Sequence, residues 1–368
     1  MQKQYELTYD ENFCIEADGK VRANIRFINF NQNIRGKWVK MGGIAMVVTD
    51  PMYRRKGYVK KIMNYLIEKM KKENFDVSAL YPFIDTFYSA YGYVNISPFV
   101  TMKFDPKYFS RWKNLPEGYS VKRLSHEKGF KYYKEIHNKI VNTIHGSVKR
   151  NEKRWKEYDR PGPGWFVVTF NKNGKPEGVM KYSSKGFSRG FDWTEEGKLR
   201  VSEIHTLTPK SRHALYNYLY LHSDQIVEAC LPIYPNQSMM YPWLQGYYMT
   251  ELNPMNIWQA RIIDVKSTLD NIAVSYDAQI NIRITDKQIT ENNQTYAIKA
   301  HDGKLKVETS KKEAELEMTI EGLSSLVYGV LLTNDLEAFG WLKNAKEEEK
   351  ALLDKWFPLQ EPTLTEGF

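Results

Sequence analysis

In the stretch VVTDPMYRRKGYVKKIM, Val47 to Met63, an apolar run breaks at Asp50-Pro51. Arg54, Arg55 and Lys56 then crowd in front of Gly57, just where a helical pattern begins. A helix start already carries roughly half a positive charge, so cations there are disfavoured unless an anion is drawn in. Free backbone N–H groups, a glycine that permits close approach and charge-assisted hydrogen bonds from Arg and Lys would together cradle a phosphate. The pattern is not a Walker loop, which needs Gly-Lys-Ser/Thr, nor a dinucleotide fingerprint with three spaced glycines. Arg-x-x-Gly on its own also fits a solvated helix start, and spacing leaves both readings open. A second set, Glu203-x-His205 with His213 and His222, could suggest a metal. His213 and His222 stand nine apart on a helical stretch, not the three or four that share a face, so these read as packing or surface residues.

The elements that must position the basic turn are legible around it. FCIEADGKVRANIRFINFNQ holds two β-rich runs about Asp18-Gly19, a hairpin signal. GGIAMVV, from Gly42, is a short buried strand by its apolar continuity. After Gly57, Ile62, Leu66 and Met70 share one helical face with Val59 and Met63 beside them. FDVSALYPF, from Phe75, is a further strand, so the order is strand, crossover helix, parallel strand. Beyond Pro106 the pattern restarts: a helix near YKEIHNKIVNTI, a hairpin-like pair in GPGWFVVTF and GKPEGVMKYSS, then RVSEIHTL and the helix RHALYNYLYLHSD. In the last third, SYDAQINIRITD, TYAIKAHDGKLKVET and AELEMTI alternate as half-exposed antiparallel strands do. Helical stretches SSLVYGVLLTNDL and KEEEKALLDKWF follow. The fold class is α+β in three parts: 1–104, 105–257 and 258–368.

A chain of 368 residues suggests two or three domains, and 42% hydrophobic with 26% charged residues is ordinary for a soluble globular protein. No apolar run approaches the ~18 residues of a membrane span, and no signal-peptide core opens the chain. Two distant cysteines, Cys14 and Cys230, make no disulfide framework and fit a reducing cytoplasm. The net charge of +9 is scattered among carboxylates, which favours a phosphate-bearing ligand over nucleic acid.

VVTDPMYRRKGYVKKIM resembles motif A of the GNAT acetyltransferases, whose Arg/Gln-x-x-Gly-x-Gly/Ala loop binds the pyrophosphate of acetyl-coenzyme A. Arg54 and Gly57 match it, and Val59 replaces the last small residue. FYSAYGYVNIS resembles the FYxxFGY segment that follows in this superfamily. The domain order is similar to that of the Eis-like N-acetyltransferases, which join a GNAT domain, a second GNAT-like domain without the loop and a sterol-carrier-like domain. NIWQARIIDV, from Asn256, resembles the start of that third domain, and the chain ends in phenylalanine as Eis-like chains do. GNAT domains usually begin with a strand and two helices that wall the acceptor site. This chain starts near their second strand, so either those elements are short or missing or the true N-terminus lies upstream.

The resemblance implies acetyl-CoA as co-substrate, held by Val47, Val48, Arg54, Arg55, Lys56, Gly57, Tyr58 and Val59, with no metal. It places the general acid at Tyr88 and the general base at the terminal carboxylate of Phe368, leaving Tyr91 and Tyr93 to pack or line the pocket. It implies a homo-oligomer, a hexamer; the cysteines, the scattered charge and the lack of a long apolar run add the expectation of a cytoplasmic protein without nucleic-acid or membrane partners. The acceptor would be an aminoglycoside, a polyamine-like molecule or a lysine side chain. A non-catalytic acyl-CoA sensor or lipid-binding protein on the same scaffold is the competing class.

Overall fold

The computed structural model describes residues 4–6, 10–186, 197–234 and 241–368. The chain divides into two compact units, one made of Met1–Ser97, Ile144–Lys149 and Asn256–Phe368, the other of Pro98–Thr143 and Arg150–Met255.

In the first unit, strands Asp10–Ala17, Lys20–Ile34 and Lys37–Thr49 form an antiparallel meander. Asp18 and Gly19 both take positive φ at its first turn, which matches the twist of the flanking strands. Lys37–Thr49 then runs parallel to Val77–Leu80, and the helix Tyr58–Lys72 makes the crossover. The last residues of Glu251–Ile262 pair antiparallel with Val77–Leu80, from Gln259↔Leu80 to Ile262↔Val77.

Alternation along the central strand decides what covers each face. Ile44 turns with Phe27 and Leu80 toward Ile62, Met63, Leu66, Ile67 and Met70 of the helix. Full burial of each such side chain contributes about 1.5–3 kcal/mol. Met41 and Ala45 turn the other way, into a core shared with Phe30, Val77 and Trp258 and with Ile280, Leu323 and Trp356 from the last third of the chain. That last third carries a second sheet in the order Lys304–Ser310, Thr295–His301, Gln279–Thr285, Leu316–Thr319, Leu342–Lys343.

Two expectations change here. Leu316–Thr319, in AELEMTI, pairs parallel rather than antiparallel with Gln279–Thr285. The connection from Lys304–Ser310 carries it past two strands to the far side of the first, so it arrives with the same direction. The stretch SSLVYGVLLTNDL is two helices, Ile320–Val327 and Thr333–Ala338, because the chain turns to φ 71 at Gly329.

The second unit also packs helices on β-strands. The later part of Val94–Phe104 pairs with Glu228–Ile233, followed by Lys198–Thr206, Pro176–Lys185, Trp165–Phe170 and Ser120–Leu124. Lys198–Thr206 and Glu228–Ile233 are parallel, with the helix Pro209–Tyr220 between them in sequence. The helix His126–Ile140 buries Tyr133 and Ile136 against Phe166 and Val168.

Candidate active site

The cavity begins where the central strand of the first unit loses its regularity. Ala45 pairs with Arg26 and Val48 with Asn24, so Met46 and Val47 together face Ile25, and Met46 takes φ 46. Such a bulge bends the strand and frees backbone groups from the ladder. On its other side the parallel pairing stops at Ile44↔Leu80. Past that point the strand ends part, and a cavity of about 780 Å³ opens between them. Val47, Val48 and Thr49 form one wall and Phe83, Ile84 and Phe87 the other. That volume lies within the range of small-molecule sites, ~300–1,000 Å³.

The basic turn closes one end of the cavity. Asp50 fixes it, accepting from the Met52 N–H at 3.0 Å and from Arg22 at 2.6 Å. Tyr53 stands between the Arg22 guanidinium and the Lys56 ammonium, each 4.3 Å from its ring centre, with its hydroxyl on Asp18. Gly57 caps the helix with φ 75 and contributes no side-chain bond. The first-turn amides of Tyr58, Val59 and Lys60 have no intrahelical acceptor, and no acidic residue stands in that turn. Arg54, Arg55 and Lys56 are exposed. The helix therefore presents free donors and uncompensated positive charge at one end, while Lys69, Lys71 and Lys72 suit its dipole at the other. These groups fit a pyrophosphate: cations and first-turn donors border the same cavity, and nothing lies within 4 Å of the point where a Gly57 Cβ would stand.

Of the residues singled out from sequence, Val47, Val48, Arg54, Arg55, Gly57, Tyr58 and Val59 line this one cavity. Lys56 belongs to the same turn with its ammonium over Tyr53. Tyr88 lies in the short helix Asp85–Ser89, 1% exposed, with ring centres of Phe87 at 4.9 Å and Phe83 at 5.6 Å. It stands behind the two phenylalanines that form the cavity wall. Burial first, and then the neighbouring Tyr93 and Tyr91, push its pKa well above the ordinary tyrosine value, so it stays a protonated donor through the neutral range. Tyr93 is pushed up to about 12 by burial, and its hydroxyl shares a 2.7 Å hydrogen bond with Ser78.

The Phe368 ring sits in an aromatic socket, 5.0 Å from Phe30 and 5.2 Å from Trp258. Its floor is Gly43, where an added Cβ would come within 2.9 Å of Phe30 and 3.1 Å of Phe368. Gly43 precedes Val47 by four positions on the strand, about 13 Å at ~3.3 Å per residue. The tail reaches that socket tethered. Arg35 donates to the Pro358 carbonyl at 2.8 Å, the Gln360 N–H to Gly329 at 3.0 Å and the Thr363 N–H to His145 at 2.8 Å.

Sequence reasoning missed the bulge at Met46 and the wall of Phe83, Ile84 and Phe87. Phe87 stood in a motif already noticed. Phe83 and Ile84, more than half exposed, carried only the weaker signal of apolar residues after Pro82.

The corresponding junction of the second unit is built differently. Thr208 and Ser211 form a reciprocal capping box, and Pro209 at the first helical turn removes a donor. The Glu177 carboxylate stands beside it, accepting from Asn171 at 2.6 Å, from Thr208 at 3.2 Å and from Tyr119. A filled cap and a fixed negative charge oppose a phosphate there. In the same unit Glu203 accepts from Tyr133 at 2.5 Å and pairs with His205 at 3.2 Å, with Arg150 3.7 Å away. Burial alone would raise its pKa, but the His205 hydrogen bond and the Arg150 charge outweigh that and hold it at about 2. His213 faces the Asn114 carbonyl and His222 the Tyr218 carbonyl, so each is tied locally.

Three family models match the chain: an acetyltransferase (GNAT) domain at residues 1–95, another at 146–241 and a sterol carrier protein domain at 265–365. The N-acetyltransferase Eis of Mycobacterium tuberculosis is 21% identical over 331 residues, spanning 88% of this chain and 79% of that protein. The fold is shared with a GCN5-related N-acetyltransferase from Anabaena variabilis at TM-score 0.84 and 18% identity, covering 98% of this chain and 90% of the other. Eis1 from Mycobacterium abscessus matches at 0.77 and 15%, covering 99% and 91%.

Proposed function

Because the chain is a GNAT-superfamily N-acetyltransferase of the Eis-like kind, with a sterol-carrier domain in its last third, we propose that it moves the acetyl group of acetyl-CoA to a primary amine. The observation that carries this reading is the cavity itself, with uncompensated cations and free helix amides at one end and an apolar cleft beside a bulged strand. Arg54, Arg55, Lys56 and the amides of Tyr58 and Val59 hold the pyrophosphate. The freed backbone of Val47 and Val48 takes the pantetheine arm and the acetyl oxygen.

An alkylamine titrates near ~10 and must be neutral to attack. Attack forms the N–C bond and breaks the C–S bond. The terminal carboxylate of Phe368 accepts the proton shed by nitrogen, directly or through a water, and Tyr88 protonates the departing sulfur. The acceptor is an aminoglycoside, a polyamine-like molecule or a lysine side chain, and the protein assembles as a homo-oligomer, a hexamer by likeness to Eis-like enzymes. Among the described residues no helix is long and apolar enough to cross a membrane. The test is release of free thiol from acetyl-CoA across a panel of amines. Turnover with one class of amine supports the reading, and tight coenzyme binding without turnover on any amine would replace it with a sensor.

A further inference from the structure

The helix that carries Tyr88 has only five residues, too short to hold its own orientation. Its first carbonyl, at Asp85, and the carbonyls just past its end, at Ala90 and Tyr91, are instead gripped by side chains from much later in the chain. Gln259, fully buried, donates from Nε2 to the Asp85 carbonyl at 3.2 Å and to Asn95 Oδ1 at 2.8 Å. Gln288 donates to the Ala90 carbonyl at 3.1 Å. Arg261, also fully buried, donates from one terminal nitrogen to the Tyr91 carbonyl and from the other to Asp286 Oδ2 at 2.6 Å.

Asp286 is itself immobilised. Its Oδ2 also accepts from Asn292 at 2.9 Å, and its Oδ1 accepts the N–H groups of Gln288 at 2.9 Å and Ile289 at 3.2 Å. An ion pair with both side chains at 0% exposure adds little net stability over an apolar replacement, because desolvation cancels most of the attraction. Such a pair does fix geometry, since neither partner can leave the other without stranding a charge.

We propose that Arg261, backed by Asp286 and assisted by Gln259 and Gln288, is the positioning residue that sets Tyr88 against the thioester sulfur. On this account the strand that leads into the sterol-carrier match, with Asp286 and Gln288 from within that match, acts in acetyl transfer as the brace of the proton donor. The proposal rests on the reading of Tyr88 as the acid.

Two variants test it, Arg261→Lys and Gln288→Ala, each alone and combined with Tyr88→Phe. Lysine keeps a charge for Asp286 but lacks the fork that reaches both partners. A misplacement on the scale of an ångström should lower kcat by ~10- to 10²-fold, with KM for acetyl-CoA unchanged because the basic turn is not involved. In the Tyr88→Phe background the same change should have no further effect. Gln288→Ala, which removes a half-buried amide and strands no charge, should show the same pattern with a smaller drop of about 3- to 10-fold. It decides the matter if Arg261→Lys does not fold. Unchanged kcat, or losses that multiply with Tyr88→Phe, overturn the proposal. A fully active Tyr88→Phe instead removes the acid reading beneath it, which is a distinguishable result.

Discussion

Arg54 and Arg55 present guanidinium groups that make no hydrogen bond or ion pair among the described residues, at a helix start whose first residues line the same cavity. Replacing both with alanine should weaken acetyl-CoA binding by ~1.5–3 kcal/mol per charged hydrogen bond lost, measured by calorimetry on protein of unchanged circular dichroism. Undiminished affinity would return the turn to a solvated helix start. Tyr88→Phe should instead leave that affinity alone and lower kcat by ~10²–10⁴, the range for one acid–base group. Its raised pKa adds a sign. The protonated form is the useful one, so loss of activity through Tyr88 should begin only above about pH 10. A decline of kcat between pH 7 and 9 that disappears in Tyr88→Phe would contradict that placement.

At the scale of elements, the segment that buckles the tail holds a titratable group. His145 is 4% exposed; its Nδ1 accepts the Arg35 backbone N–H at 3.0 Å and its Nε2 donates to the Tyr328 carbonyl at 3.0 Å. Burial lowers its pKa from 6.5 to about 4, with Arg35 adding to the effect against the Tyr328 hydrogen bond. The fold thus favours the neutral ring. This stabilisation is complete above pH 6.5 and is lost as pH falls through 4, about 3 kcal/mol in all at ~1.36 kcal/mol per unit. His145→Gln should flatten the fall in melting temperature between pH 6.5 and 4, and a parallel fall in both proteins would assign acid sensitivity elsewhere. The two strand-to-helix junctions lead to a stoichiometry. Because the Thr208 cap and Glu177 occupy the second helix start, titration should give one acetyl-CoA per chain. A value of two would show that the second junction binds after all.

At the scale of the molecule, the tail is tethered at Pro358, Gln360 and Thr363 before Phe368 enters its socket. Extending the chain beyond Phe368 turns its carboxylate into an amide. The extended protein should lose ~10²–10⁴ in kcat while binding coenzyme normally. Full turnover would send the search for the base to other carboxylates. Association should appear by light scattering as a particle several times the chain mass, and a monomer at micromolar concentration would count against the hexamer.

The sequence by itself determined what neighbouring residues settle among themselves. The Asp18-Gly19 turn, the apolar stripe from Ile62 to Met70 and the cations before Gly57 are local patterns, readable because hairpin chemistry, helical period and dipole sign act over a few residues. It could not reveal the bulge at Met46, since a bulge is a mismatch between two strands and neither carries it alone. Nor could it show Leu316–Thr319 running parallel, because alternation is the same in either direction. The grip of Gln259, Arg261 and Gln288 on the segment around Tyr88 and the Gly43 floor under Phe368 join residues some 170 to more than 300 positions apart. Only the tertiary structure decided these, because burying an arginine against a carbonyl and a carboxylate depends on where the chain returns.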